Sequence, residues 1–72
     1  MENIKVKIGE RIRELRIYKK ISQQKLANLA EIDRTYLPSI EKGNRSISVQ
    51  ILKKITSALD ISLSDFFKDL NI

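Results

Sequence analysis

The chain has 72 residues and carries 14 Lys or Arg against 9 Asp or Glu, for a net charge of +5, with no Cys and no His. The missing residue types exclude a disulfide framework and most zinc sites, and they remove the base that a Ser or Cys nucleophile usually needs, so neither catalysis, a metal nor a cofactor is expected. A chain of this length is expected to be one domain, residues 1–72, whose small core makes oligomerisation a natural aid to stability.

There are two Gly and one Pro, and no stretch alternates apolar with polar residues as a half-buried strand would. The fold class expected is therefore all-α, a compact five-helix bundle. The first helix runs from about Ile4 to Lys19, with Ile4, Ile8, Ile12 and Leu15 on one face and Arg11, Glu14 and Lys19 on others. The second begins at the N-cap candidate Ser22, runs to Ala30, and buries Leu26, Ala27 and Ala30. The third is expected from a cap at Asp33 to Lys42, turning Leu37 and Ile40 inward, with Gly43 where a helix end favours a left-handed residue.

Almost no residues separate the second and third patterns. Helices joined so tightly cross at a steep angle, the helix-turn-helix geometry that places one helix in the major groove of DNA. Ala27 must be small where the third helix crosses it, and Glu31, first in the turn, is expected near the left-handed region. Residues 44–47 read as a loop. Ser48 then caps a fourth helix carrying Leu52, Ile55 and Leu59, residues 60–63 form a turn, and Ser64 is expected to cap a fifth helix from Asp65 to about Leu70.

Charge is unevenly spread. Between Lys5 and Lys25 eight basic residues face two acidic ones, whereas beyond Ser46 three Lys are balanced by three Asp. A basic half and a neutral half suit a protein with a polyanion on one side and another partner opposite, or simply a solvated surface. The neutral half is rich in apolar residues: Ile47, Val49, Ile51, Leu63, Phe66, Phe67, Leu70 and Ile72. They exceed what the core can hold, so the surplus is expected to form an interface. Adjacent Phe66 and Phe67 point in different directions, one toward the core and the other toward a partner. No apolar run is long enough to span a membrane and no signal peptide is visible, so a cytoplasmic location is expected.

The segments IGERIRELR (residues 8–16), SQQKLA (22–27), SIEKGNR (39–45) and LKKITSALDIS (52–62) together resemble the Cro and lambda-repressor-like helix-turn-helix family, also called the XRE family. DRTYL (33–37) followed by IEKGNRSIS (40–48) is most similar to the controller proteins of bacterial restriction–modification systems. That resemblance implies the lambda-repressor-like bundle and a stand-alone, dimeric transcription regulator. Two residues depart from the family pattern. Glu31 replaces the usual turn Gly, at a cost of about 1 kcal/mol if left-handed. Pro38, placed inside the third helix, is expected to remove the bond to the Arg34 carbonyl and bend the helix slightly.

Arg34, Thr35 and Ser39 lie at the groove-entering part of the third helix and are the candidates for base contact. Arg34 can fork to guanine O6 and N7, or contact only phosphate, and the Thr35 methyl can meet a thymine methyl. Ser22 and Gln23 start the second helix, where free N–H groups favour a phosphate. Gln23 resembles the family's phosphate-binding glutamine. Tyr36 is expected to donate to a phosphate or to pack on the second helix, while Asn44, Arg45 and Ser48 are expected to grip the backbone beyond the third. The resemblance implies a structural ion pair between Arg16 and Glu41. Ile47, Ile51, Leu63, Phe66 and Phe67 are expected at a dimer interface.

The function expected is sequence-specific binding of a homodimer to a palindromic double-stranded DNA operator, as a restriction–modification controller, with RNA polymerase as a further partner. A phage-type repressor or the antitoxin of a toxin–antitoxin pair shares the same physics. A reading of another class is a protein-interaction module that uses the apolar face and leaves the basic half solvated.

Overall fold

The computed structural model describes residues 3–70; Ile72, one of the surplus apolar residues, lies outside them. The elements are α1 (Ile4–Tyr18), α2 (Gln23–Ala30), α3 (Tyr36–Glu41), α4 (Val49–Ala58) and α5 (Leu63–Lys68). Every element is helical because the apolar residues recur at the helical period and each junction supplies a stop and a start.

Those stops and starts share one design. The hydroxyls of Ser22, Ser48 and Ser62 accept the N–H three residues on, from Lys25, Ile51 and Asp65, at 3.0, 3.1 and 3.0 Å. At the other ends, Lys20, Glu31 and Asp60 are left-handed, with φ of 59°, 57° and 59°. The residue after each is Ile21, Ile32 or Ile61, whose N–H reaches back to the carbonyl of Arg16, Ala27 or Thr56 at 3.2, 3.0 and 3.0 Å. This is the Schellman arrangement, in which an apolar residue after the left-handed one packs inward, and all three Ile lie against the core. Gly43 closes α3 in the same way, at φ 77°, with Asn44 N–H donating to the Ser39 carbonyl at 3.0 Å.

Two expectations about boundaries are corrected. Ser62, not Ser64, caps the fifth helix, which begins at Leu63. The triplets KIS at 20–22, EID at 31–33 and DIS at 60–62 show why: each is a left-handed residue, a half-buried Ile and a Ser or Asp whose side chain accepts a backbone N–H just ahead, a helix cap at Ser22 and Ser62 and a tight turn at Asp33. The third helix starts at Tyr36, not Asp33, because the Asp33 carboxylate accepts the N–H of Thr35 at 2.9 Å and forms a separate tight turn ahead of the helix. Pro38 therefore stands third in α3, where an N–H has no partner within the helix anyway. The lost bond to Arg34 was never part of α3, and the Pro38 carbonyl still accepts from Lys42 at 3.1 Å.

The core gathers Ile8 and Ile12 of α1, Leu26, Ala27 and Ala30 of α2, Leu37 and Ile40 of α3, Leu52, Ile55 and Leu59 around α4, and Phe66 and Leu70. α2 packs chiefly on α4 and α1 on α3. Gly9 makes the second contact possible: a Cβ there would lie 2.2 Å from the Ile40 carbonyl oxygen. Thr56, fully buried, donates its hydroxyl to the Lys53 carbonyl at 3.1 Å, so the polar atom in the core is satisfied. Arg11, off the apolar face of α1, pairs with Asp69 at 2.7 Å and ties α1 to the chain beyond α5.

Candidate nucleic-acid interface

Ala27 is fully buried and Glu31 is left-handed, as the tight crossing of α2 and α3 requires. Arg34 and Thr35 are exposed in the turn that leads into α3, and Ser39 is half-buried within the helix. At the start of α2, Ser22 is exposed and uses its hydroxyl as the helix cap. Beyond α3, Asn44, Arg45 and Ser48 are all exposed, and the Ser48 hydroxyl caps α4.

The angle of the unit is held from beneath by a polar network. Arg16 Nε donates to Glu41 Oε2 at 2.7 Å and Arg16 Nη2 donates to Oε1 at 3.1 Å, a two-pronged pair. Arg16 Nη1 also donates to the Ile21 carbonyl at 2.9 Å. The two side chains are only 13% and 3% exposed, so the charges are compensated inside the protein and not by solvent. Gln23 Nε2 joins the network by donating to Glu41 Oε1 at 3.1 Å. The network thus links the end of α1, the first turn, the start of α2 and the end of α3. It leaves the Gln23 amide partly committed, a tie that the sequence does not reveal.

Tyr36 does something neither expectation described. Its ring lies under the Arg45 guanidinium, 4.7 Å from the ring centre, a cation–π contact that aims a long side chain. No local signal joins these two residues, which come together because the loop after α3 folds back over it. Tyr36, Ile40, Arg45, Ser46, Ile47, Ser48 and Ile51 line a concavity of about 280 Å³, so two residues expected at a dimer seam adjoin the DNA-contact candidates.

The pKa of Asp33 is lowered. The Thr35 backbone N–H, then its hydroxyl, and then the Arg34 charge hold the carboxyl below its ordinary value.

The expected interface residues divide. Phe66 is fully buried within the subunit and has no surface to offer a partner, so its place at an interface is corrected. Phe67 is exposed, with the Phe66 ring edge-on at 5.4 Å. Ile47, Ile51 and Leu63 are half-buried against the core. Val49 at the start of α4 is 74% exposed, more than any residue assigned to the seam. Among the described residues no group of three or more His, Cys, Asp or Glu is placed to hold a metal, and no helix is long and apolar enough to cross a membrane.

Comparison with known proteins gives a consistent result. The helix-turn-helix family profile matches residues 12–66. The control protein C.MunI of a Mycoplasma species is 41% identical over 71 residues, covering 97% of this chain and 96% of that protein. The crystal structure of the restriction–modification controller C.AhdI from Aeromonas hydrophila superposes with a TM-score of 0.86 at 41% identity, covering 92% of this chain and all of that one. The controller C.Esp1396I, solved as a tetramer with its natural 35 base-pair operator, superposes with a TM-score of 0.89 at 30% identity over 97% of this chain and 92% of that one.

Proposed function

The chain belongs to the helix-turn-helix family and, within it, to the restriction–modification controller proteins, and on that premise we propose that it acts in the cytoplasm as one DNA-binding domain that pairs into a homodimer on a roughly palindromic operator. The observation that carries this reading is the exposed Arg34 and Thr35 at the entry to α3, above a network that locks α2 against α3. Arg34 reads guanine, with Thr35 and Ser39 beside it. Ser22 and Gln23, through the free N–H groups of α2, and Tyr36, Asn44, Arg45 and Ser48 on the far side hold the phosphates. The controller with its operator supports assembly on DNA.

A single unit reads too few base pairs to define a genomic site, and two copies on a two-fold axis double the contacts and make the site symmetric. Ile47, Ile51, Leu63 and Phe67 form the seam. Contact with RNA polymerase belongs to the activating form of this role, and catalysis to no part of it.

The test is selection of bound duplexes from a random pool, followed by binding at rising salt. A symmetric motif and a steep loss of affinity with salt are expected. A Phe67→Lys chain should remain folded, sediment as a monomer and bind the selected operator far more weakly. Salt-insensitive binding with no enriched motif would favour the protein-interaction module instead.

A further inference from the structure

Asp33 both precedes α3 and holds the residue beside Arg34. Its Oδ1 accepts the Thr35 backbone N–H at 2.9 Å and the Thr35 hydroxyl at 2.9 Å. A Thr hydroxyl carries one proton and an ionised carboxylate none, so the proton in the second bond is Thr35's own. An Asp carboxylate is ionised throughout the neutral range, and the two Thr35 bonds lower its pKa further.

The consequence follows from the edges that bases show in the major groove. Guanine offers N7 and O6, adenine N7, and thymine O4, all of which need a donor. Thr35 has no proton left for any of them. Its hydroxyl proton is turned back onto the chain at Asp33, so this exposed residue has left to present its methyl and its hydroxyl lone pairs. The lone pairs accept only from the amino groups of adenine or cytosine, a contact that Thr35→Val removes while keeping the methyl. Building on the operator reading above, we infer that Asp33 is a positioning residue for specificity: by engaging the Thr35 hydroxyl it makes Thr35 a reader of methyl groups, so each half-site carries a C5-methyl pyrimidine at the base pair next to the one Arg34 reads. Thymine and 5-methylcytosine both present that methyl.

The experiment uses the full chain and the duplex it selects from a random pool. Each thymine is replaced in turn by uracil, which deletes the methyl and leaves the pairing intact. In parallel, the same position is compared as cytosine and as 5-methylcytosine opposite guanine. At one position per half-site, uracil should weaken binding about fourfold, the worth of one buried methyl. A gain from 5-methylcytosine over cytosine would extend the reading to methylated DNA, whereas an effect of uracil alone assigns the site to thymine.

Thr35→Val should keep the discrimination, and Thr35→Ser should abolish it while melting as the parent does. Asp33→Asn retains the accepting oxygen and should behave as the parent. Asp33→Ala frees the hydroxyl proton, so discrimination should fall and the selected motif should broaden at that one base pair. Uracil that costs nothing at any position, or an Asp33→Ala chain with unchanged base preference, would overturn the inference and leave DNA binding intact. A parent chain that enriches no sequence at all would instead overturn the operator reading, and this inference with it.

Discussion

The two halves of this protein are held together by different physics. From α1 to α3 the chain adds directional contacts to the burial of Ile12, Leu26 and Leu37: the Arg16–Glu41–Gln23 network, and a Gly9 backbone pressed onto the Ile40 carbonyl. From α4 to Leu70 it relies chiefly on burial, with Leu52, Ile55, Leu59 and Phe66 filling the core beside the exposed Arg11–Asp69 pair. Burial is non-directional, so it suffices where a helix only has to cover a core. A reading face has to be aimed, and hydrogen bonds and close backbone contacts supply the angle.

This contrast can be broken at several points. The largest effect is expected for Gly9→Ala, because its Cβ would meet carbonyl oxygen and no flexible side chain that might yield. A loss of about 3 kcal/mol or more is expected in denaturant unfolding, at the upper end for overpacking. A melting temperature within a degree or two of the parent would show that α1 and α3 are not tightly docked.

Glu41→Ala comes next. It strands the Arg16 charge and should cost about 3 kcal/mol, since removing one partner of a buried pair is worse than removing both. The sharper variant is the double change Arg16→Met with Glu41→Leu. Much of the stability should return, yet operator affinity should stay low because Gln23 has lost its anchor. Recovery of both together would mean that the network stabilises the fold without aiming the site.

Arg34→Ala should leave stability unchanged and lose about 1–3 kcal/mol on the selected operator, with relaxed preference at one base pair per half-site. Arg45→Ala should weaken all sequences alike and flatten the salt dependence. Equal losses on every sequence for Arg34→Ala would make it a phosphate contact.

Smallest of all is Glu31→Gly. Relief of the left-handed strain, offset by the greater freedom of Gly in the unfolded chain, should raise stability by no more than about 0.5 kcal/mol. Asp33 supplies a pH arm to the same comparison. Its carboxyl is depressed in the folded state, so its contribution is present above the unfolded value and is lost as pH falls through the folded one. Protection of the Thr35 amide from hydrogen exchange should fade over that acid range, while that of the buried α4 residues should not.

The five helices and the tight α2–α3 junction are legible in the chain because periodicity, caps and turn residues act over a few neighbouring positions. Even the misplaced cap at Ser64 has a local remedy, since the Asp60-Ile61-Ser62 triplet repeats the pattern that ends α1 and α2. The core faces follow from the same spacing.

What the tertiary structure alone decided lies between residues that no local rule connects: Gly9 beneath Ile40, Gln23 on Glu41, Arg45 over Tyr36, and Arg11 with Asp69. It also chose Phe66 for the core and left Phe67 outside, a choice between neighbours that periodicity leaves open. Local order depends on short-range sterics and hydrogen bonds, which each residue carries with it. The aim of a side chain depends on which distant backbone it meets, and that is settled only when the helices pack.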